Sequence, residues 1–383
     1  ASSPSLKTSS TVPTETMVTT SDAMLIDSGP VASVDLSALA HNLSIVRKHA
    51  PNSDVISVIK ADAYGHGVMH VARALQDSDM FAVARIDEGL SLRRFFPEKP
   101  ILVLEGCNRL SDFQLASEQH LQLAIHHLSQ IDMLEKAQVK DLSLNFWLKV
   151  DTGMHRLGID YQQAVKAYQR LDQLTCKAGA VNLMTHFANA DDRQDELTHL
   201  QIERLNVLAK VCGARTSLAN SAGILAWPDS HSNWVRPGIM LYGASPMLNE
   251  TAEEFELKPA MTLSTQLISV QTLKAGDCIG YGSTWCCPED MQVGIAAVGY
   301  GDGYPRHAPT GTPLLVNGQR SQLVGRVSMD MIAIDLRGIK AGIGDRVVLW
   351  GEGMPVEEVA EAAGTISYEL FCGITNRVTF EYH

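Results

Sequence analysis

Short apolar runs alternate with helix-like patterns from Val31 to about Leu257 in this chain of 383 residues. One run, Val55 to Ile59, is continuously apolar and rich in β-branched residues, which is typical of a strand buried on both faces of a parallel sheet. The helix-like segment before it follows Asp35, a potential N-cap, and repeats apolar residues at spacings of three and four. The first part of the chain is therefore a series of strand–helix units.

These units predict an α/β fold, with an N-terminal (β/α)8 barrel of the TIM type and a mostly β C-terminal domain. Strand–helix units over roughly 200 residues also suit a doubly wound sheet. No GxGxxG fingerprint follows the first strand, which favours the barrel. After Leu257 the pattern changes to strands separated by Gly and Pro, with one helix near Val356 to Ala363. We expect a barrel domain at residues 25–257, whose first strand can pair with the second domain, and a β domain at 258–383.

Residues 1–24 are rich in Ser and Thr and lack the apolar segment of a secretory signal, so they are expected to form a disordered extension. Their composition also suits a transit peptide, but the segment has no arginine and contains Glu15 and Asp22. We expect a cytoplasmic location, with organellar targeting by this extension as the alternative.

Composition narrows the classes of partner. A formal net charge of −12 argues against nucleic acid, because neutralising phosphates requires clustered Lys and Arg. No apolar run is long enough to span a bilayer, so no membrane partner is expected. The 7 cysteines include no CxxC pair, which indicates neither a disulfide framework nor a zinc site, and a reducing compartment fits best. We expect no metal.

Polar residues stand at the ends of several predicted barrel strands, where a buried strand does not need them. In a barrel of this type the carboxyl ends of the strands form one rim, and active sites lie there. A single strand-end lysine is usually only solvated, whereas six such residues together indicate a site. The six are Lys60, Lys149, Arg156, His186, Ser221 and Arg236.

The chemistry of this set indicates its ligand. Ser221 at a helix start and Gly238 in a turn could bind a phosphate through backbone amides. Arg156 could bind a carboxylate with two parallel hydrogen bonds. Burial disfavours the charged form of Lys60, and a neutral amine is what forms an imine with an aldehyde. Phosphate, carboxylate and imine together indicate pyridoxal 5'-phosphate acting on an amino acid.

The β domain offers one further candidate, Tyr281, which lies between two glycines in the stretch GYGSTW. A tight turn with an aromatic lid is one interpretation. The other is an acid/base tyrosine, whose phenolate requires nearby positive charge near neutral pH. The stretch GYGDGY, residues 299–304, is expected to be a turn between strands because no helix follows it.

From about Val31 to the C-terminus the chain resembles the alanine racemase family of pyridoxal-phosphate enzymes of fold type III. Nine motifs occur in the family's order and spacing: VIKADAYGHG, KVDTGMHRLG, THFANAD, ANSAG, VRPGIMLYG, GYGSTW, VGYGDGY, GRVSMDM and ISYELFCGI. The resemblance implies interconversion of L-alanine and D-alanine by two bases acting on an external aldimine of the cofactor. Lys60 would bind the cofactor covalently and serve as one base, and Tyr281 would be the other.

The resemblance implies roles for further residues. Residues expected to contact the cofactor, besides Lys60, are Tyr64, His186, Ser221, Arg236, Gly238, Ile239 and Tyr368. Arg156 and the backbone of Met329 would bind the substrate carboxylate, and Lys149, which carries a carbamate in some members, would orient Arg156. Tyr300, Tyr368 and Asp330 would line the access path. The family also implies a homodimer in which the neighbouring subunit contributes Tyr281 and Met329.

Alternatives remain at this stage. A racemase for serine or for a broader set of amino acids differs in pocket volume, which the sequence does not measure. A pyridoxal-phosphate decarboxylase of related fold is expected to hold the ring nitrogen with an acidic residue, which Arg236 opposes. A non-catalytic carrier of the cofactor is usually a lone barrel, so the second domain with Tyr281 argues against it.

Overall fold

The computed structural model describes residues 29–137 and 141–383. Eight parallel strands form a closed barrel, since the two outer strands of the sheet order, β5 Gln122–Ile125 and β6 Phe146–Asp151, also hydrogen-bond to each other. A short strand, β7 Ile159–Asp160, extends the sheet beside β6. The barrel strands and β7 are β2 Asp54–Val58, β3 Met80–Val83, β4 Ile101–Val103, β5 Gln122–Ile125, β6 Phe146–Asp151, β7 Ile159–Asp160, β8 Asn182–Met184, β9 Thr216–Ser217 and β10 Trp234–Val235.

Helices cover the outside of this barrel and connect its strands. They are α1 Leu36–His49, α2 Lys60–Gly65, α3 Val68–Ala74, α4 Ile86–Arg93, α5 Leu110–Glu118, α6 Leu128–Ala137, α7 Ala164–Asp172, α8 Glu196–Cys212 and α9 Ser221–Ala226. The predicted cap is confirmed, since the Asp35 carboxylate accepts hydrogen bonds from the Ser37 and Ala38 amides at 2.8 and 3.1 Å. The parallel order and the buried apolar strands confirm the TIM-type barrel.

The second domain is mostly β, as predicted. Its strands, with β1 from the start of the chain, are β1 Val31–Val34, β11 Met261–Leu273, β12 Cys278–Ile279, β13 Trp285–Cys286, β14 Met291–Ala296, β15 Pro313–Val316, β16 Gln319–Val324, β17 Ile332–Asp335, β18 Arg346–Trp350 and β19 Thr379–Tyr382. The long strand β11 pairs with β1, β14 and β18, so the six strands from β14 to β11 in the sheet order close on themselves, and β1 and β19 continue the sheet beyond β11. Strand β1 lies between β11 and β19 and is therefore part of this sheet.

Two helices belong to the second domain, α10 Val356–Ala363 and α11 Ser367–Cys372. The first was predicted, and the second, which is only six residues long, was not. Helix α11 packs against α2, where a Cβ at Gly65 would lie 2.2 Å from the Phe371 carbonyl oxygen. Only glycine allows this approach, which places α11 beside the Lys60 segment.

The cysteine pattern indicated no disulfide framework, but one pair of cysteines is bonded. Cys278 and Cys286 are bonded, and they face each other across the antiparallel pair β12–β13. Their separation of 8 residues in the sequence gives no sign of this pairing, which depends on the hairpin between them. A reducing compartment was expected because the cysteine pattern indicated no disulfide framework. The observed disulfide removes that support for a reducing compartment.

Buried aromatic residues mark the cores of both domains. Trp147 fills the barrel wall at 0% exposure, and Trp350 does the same in the second sheet. Full burial of one large apolar side chain contributes about 1.5–3 kcal/mol to folding, so these cores stabilise the framework that carries the rim residues.

Within residues 29–137 and 141–383, no helix is long and apolar enough to cross a membrane. The predicted disordered extension, residues 1–24, lies outside the described residues, and the predicted domain limits stay a prediction.

Candidate active site

The strand-end residues meet at one rim of the barrel. Lys60 follows β2, Lys149 lies near the end of β6, and Arg236 directly follows β10. His186 follows β8, and Ser221 begins α9 after β9. The positive charges of Lys60, Lys149, Arg156 and Arg236 all lower the pKa of His186, so these four side chains lie within electrostatic range of it. Arg156, in the loop after β6, is exposed at the edge of this group.

Lys60 lies in a setting that favours its neutral form. Burial lowers the pKa of its amine first, and the positive charge of Arg156 lowers it further, while Glu105 and Glu88 oppose the shift. A lowered amine pKa increases the fraction of unprotonated lysine near neutral pH. Lys60 thus has the property required of a nucleophile towards an aldehyde.

Arg236 is buried and held by oxygen atoms of neighbouring strand ends. It donates from Nη1 to the Ser217 carbonyl and hydroxyl at 2.8 and 2.6 Å, and from Nη2 to the Thr185 carbonyl. Burial lowers its pKa to about 10, so the guanidinium stays protonated at neutral pH. A fixed guanidinium can only donate hydrogen bonds, which distinguishes this site from one with a carboxylate at the same place.

His186 is held neutral. Burial is the main cause that lowers its pKa well below the ordinary value, and the positive charges of Arg236 and Lys149 add to it. Lys149 itself is buried, and burial together with Arg236 lowers its pKa to about 8. The buried part of the site therefore contains the charged Arg236 beside His186 and Lys149, whose pKa values are both lowered.

A small cradle lies at the same rim, beyond the ends of the neighbouring strands β9 and β10. The Ser221 hydroxyl accepts hydrogen bonds from the Gly238 and Met240 amides at 2.9 and 3.3 Å, which leaves its own hydrogen available to donate. A Cβ at Gly238 would lie 2.6 Å from the Tyr64 hydroxyl oxygen, so only glycine leaves this space open. Ile239 begins a 3-10 turn here, whose N-terminus suits an anion.

Two tyrosines line this cradle. The rings of Tyr64 and Tyr368 lie 5.9 Å apart between centroids. Burial raises the pKa of both phenols, that of Tyr368 to about 12, so both keep their protons and can donate to an anion. Tyr64 is positioned by His66, whose Nδ1 donates to the Tyr64 carbonyl at 2.9 Å. His66 is fully buried, and burial lowers its pKa to about 4, so it is a neutral support.

The backbone between Lys60 and Tyr64 is unusual. Ala61, Asp62, Ala63 and Tyr64 all have left-handed φ and ψ angles, with φ between 52° and 54°. Such angles cost roughly 1–2 kcal/mol for each residue other than glycine. The Ala61 amide donates to the Glu88 carboxylate at 2.7 Å, which helps to hold the turn. This turn places Lys60 and Tyr64 at the same rim although they are only four positions apart.

Tyr281 and Met329 do not join the buried group. Tyr281 begins a 3-10 turn at the tip of the hairpin formed by β12 and β13, where it is 69% exposed. Met329 is 52% exposed in a turn between β16 and β17. Tyr300 is also exposed, in the GYGDGY stretch, which forms a turn as predicted. Asp330 is exposed beside Met329 and is paired with Arg377 at 2.7 Å.

The structure adds supporting residues that the sequence did not reveal. Gln201 donates to the His186 carbonyl at 2.9 Å and to the Thr152 hydroxyl at 3.1 Å. Ser217, which receives Arg236, also donates to the Trp234 carbonyl at 2.9 Å. Gln201 lies inside a long helix, and Ser217 ends the two-residue strand β9, which has no apolar run for it to interrupt. His66 lies within a recognised motif and could have been noticed there.

Comparisons with known proteins agree with this arrangement. The family model described as "Alanine racemase, N-terminal domain" matches residues 34–246, and "Alanine racemase, C-terminal domain" matches residues 260–382. An alanine racemase of Aeromonas hydrophila is 48% identical over 353 residues, which cover 92% of this chain and 99% of that protein. One of Nitrosococcus oceani is 50% identical and covers 91% and 98%.

Solved structures show the same similarity. The biosynthetic alanine racemase of Pseudomonas aeruginosa superposes with a TM-score of 0.90 at 45% identity, covering 93% of this chain and 99% of that chain. The alanine racemase of Bartonella henselae, solved with covalently bound pyridoxal phosphate, superposes with a TM-score of 0.83 at 27% identity, covering 93% and 99%. Both domains described above are therefore shared with these enzymes.

Proposed function

Because this chain belongs to the alanine racemase family and is thus an amino-acid racemase, we propose that it interconverts L-alanine and D-alanine with pyridoxal 5'-phosphate held at the barrel rim. The observation that carries the proposal is the convergence at that rim of Lys60, the donor-only Arg236 and the cradle at Gly238. Lys60 can react with the aldehyde of the cofactor, Arg236 can donate to its pyridine nitrogen, and the cradle can bind its phosphate.

The residues at the rim fit this cofactor. Lys60 would hold it covalently, and Arg236 and His186 would lie at its ring. The phosphate would be bound by the cradle, whose members are Tyr64, Ser221, Gly238, Ile239 and Tyr368. The open space at Gly238 and the free hydroxyl hydrogen of Ser221 are the structural features that support this assignment. When bound, pyridoxal phosphate supplies an electron sink that makes the α-proton of an amino acid acidic.

Two bases on opposite faces of the substrate then suffice for racemisation. Lys60 Nζ would take the α-proton of D-alanine, and Tyr281 Oη would deliver a proton to the opposite face. In the reverse direction, Tyr281 takes the proton from L-alanine and Lys60 returns one. The lowered pKa of Lys60 supports its role as a base near neutral pH.

The substrate carboxylate would be bound by Arg156 and by the Met329 N–H. Arg156 lies at the exposed edge of the rim, where its charge acts on Lys60 and Lys149. In the part of the chain that the structure describes, no hydrogen bond uses the Met329 N–H, so it is free to donate. Lys149 would orient Arg156 from the buried side. Tyr300 and Asp330, together with Tyr368, would line the access path and favour small substrates.

A homodimer completes this scheme. Tyr281 and Met329 are exposed on the second domain rather than buried at the rim of their own chain. We therefore expect a neighbouring subunit to receive them, so that each active site contains residues of two chains. A cytoplasmic location is likewise part of the proposal.

Initial rates with both enantiomers of alanine, serine, lysine and arginine test the proposed function. We expect alanine to be the preferred substrate, in both directions. Similar rates for serine or for the larger amino acids would instead identify a racemase of broader specificity. Release of carbon dioxide without racemisation would identify a decarboxylase and would overturn the proposal.

A further inference from the structure

One arginine of the second domain connects two turns that carry proposed substrate-binding groups. Arg377, between α11 and β19, pairs through Nε with the Asp302 carboxylate at 3.2 Å. Its Nη2 pairs with the Asp330 carboxylate at 2.7 Å. Asp302 belongs to the turn of residues 299–303, and Asp330 to the turn of residues 328–331. A single side chain thus bridges the turn that contains Tyr300 and the turn that contains Met329.

These two turns are also joined through their backbones. The Tyr300 amide donates to the Ser328 carbonyl at 3.0 Å, and the Gly301 amide donates to the Met329 carbonyl at 2.9 Å. A Cβ at Gly301 would lie 2.4 Å from Arg377 Nη1, so the guanidinium rests directly against this glycine. Because the Met329 carbonyl is fixed, the direction of the neighbouring peptide groups depends on the same contacts.

The two carboxylates differ in their surroundings. The side chain of Asp302 is 4% exposed and accepts a hydrogen bond from the Gly299 amide at 2.9 Å. That of Asp330 is 54% exposed and follows Met329 directly in the chain. Without Arg377, the Asp330 carboxylate would be free to approach the Met329 N–H, where its charge would repel a substrate carboxylate. The ion pair with Arg377 therefore restrains the Asp330 carboxylate.

We propose that Arg377 is a positioning residue for substrate binding, which fixes the Met329 N–H and keeps the Asp330 carboxylate turned away from it. The inference rests on the proposed function, because it concerns the substrate carboxylate of that same site. It assigns Arg377 an effect on affinity: the contact that it supports is made equally by bound substrate and by the transition state, so its loss raises KM more than it lowers kcat.

The experiment compares Arg377→Ala with the wild-type enzyme in steady-state kinetics on both alanine enantiomers. We expect KM to rise about tenfold in both directions, as is common when a binding group is slightly displaced, with kcat within about twofold of wild type. Arg377→Lys, which keeps the charge but not the two-pronged geometry, should give an intermediate KM. The double variant Arg377→Ala/Asp330→Asn should regain part of the affinity, because the repelling charge is gone.

Arg337→Ala is the matched control. Arg337 also bridges two carboxylates of the second domain, pairing with Asp335 at 2.7 Å and with Glu289 at 3.1 Å, but it touches neither turn. The KM of the Arg337→Ala variant for alanine should equal that of the wild-type enzyme. A lower kcat with unchanged KM in Arg377→Ala would mean that fewer molecules fold, and it would overturn the inference. If Arg377→Ala does not fold, an unchanged KM in Arg377→Lys overturns it equally.

Failure of the proposed function gives a different result. In that case the wild-type enzyme itself would not racemise alanine, whatever residue 377 is. Cofactor absorbance at about 420 nm, measured in every variant, tests whether Lys60 still binds pyridoxal phosphate. Normal absorbance with normal KM in Arg377→Ala refutes the role of Arg377 alone.

Discussion

Cys278 and Cys286 are covalently joined at the base of the hairpin whose tip presents Tyr281. The hairpin has only the two short strands β12 and β13, and Tyr281 is 69% exposed at its end. The exposed Tyr281 side chain is therefore little restrained by packing, and the disulfide restricts the loop that carries it.

Removing this disulfide should destabilise the protein and lower its activity. Closing a loop across a sequence separation of 8 residues contributes about 2–3 kcal/mol by restricting the unfolded chain. Cys278→Ser/Cys286→Ser should lose about this much free energy of unfolding in urea titration and should show a reduced kcat. Cys212→Ser, which changes a free cysteine of a barrel helix, is the control. Equal stability of the two variants would contradict the prediction.

Lys60→Ala should abolish racemisation. The variant loses both the covalent attachment of the cofactor and one of the two bases, so kcat should fall by about a thousandfold or more. The cofactor absorbance at about 420 nm should disappear as well. Lys48→Ala, which removes an exposed lysine of α1 paired with Glu256, should change neither property. Full activity of Lys60→Ala without added amine would refute the mechanism.

Tyr281→Ala should lose exchange of the α-proton from one enantiomer only. If Tyr281 is the base on the L-face, the variant should still incorporate deuterium from heavy water into D-alanine through Lys60. Incorporation into L-alanine should fall by about a hundredfold or more. Proton NMR of each enantiomer, followed separately, measures this difference. An equal loss from both enantiomers would contradict the assignment of two faces.

The stability of the protein should rise with pH above neutrality because of Lys149. Burial and Arg236 lower its pKa from 10.5 to about 8, so between these values the unfolded chain binds the proton more often than the folded protein does. Under that condition the free energy of unfolding increases with pH, and the cost of burying the charge is relieved as pH rises through about 8.

Urea titrations of the wild type and of Lys149→Gln, at pH values on both sides of this window, test the effect. The rise should occur in the wild type and should be smaller in the variant, which lacks the titrating amine. The same slope in both proteins would show that Lys149 is not a free amine in the folded enzyme, as expected if it carried a carbamate.

Ala61→Gly should stabilise the protein. Ala61 is exposed and left-handed, with φ of 53°, a conformation that glycine adopts without a steric penalty. We expect the free energy of unfolding to increase by about 0.5–1 kcal/mol, since relief of strain exceeds the added flexibility of the unfolded chain. Ala40→Gly, at an exposed position inside α1, should instead lose about 1 kcal/mol. Destabilisation by both changes would show that the turn is not strained at Ala61.

The sequence revealed those parts of the fold and site that interrupt a local pattern. Lys60 and Arg236 were found because each ends an apolar run, and the barrel because such runs alternate with helical segments. Tyr281 stood out because the glycines on both sides leave it without a place in a core, and its role stays a prediction. The second helix of the β domain was missed, since six residues give too short a repeat to recognise.

What the sequence did not reveal depends on contacts between distant segments. Cys278 meets Cys286 only once the hairpin has formed, and Arg377 meets Asp302 and Asp330 only once the second sheet is complete. The left-handed turn after Lys60 is also invisible, because Ala61 and Ala63 ordinarily favour right-handed helices. Such a conformation is set by tertiary packing, including the approach of Gly65 to Phe371.

Strand β1 imposes an order on biosynthesis. It is made before its neighbours in the sheet, β11 and β19, and Val31 pairs with Thr379, which lies beyond the whole barrel domain in the sequence. During translation the barrel can fold on the ribosome while β1 is still unpaired, because both of its partner strands follow the barrel in the sequence. Only after β11 and β19 have been made can β1 pair with them, so completion of the second sheet requires two segments that the whole barrel separates in the sequence.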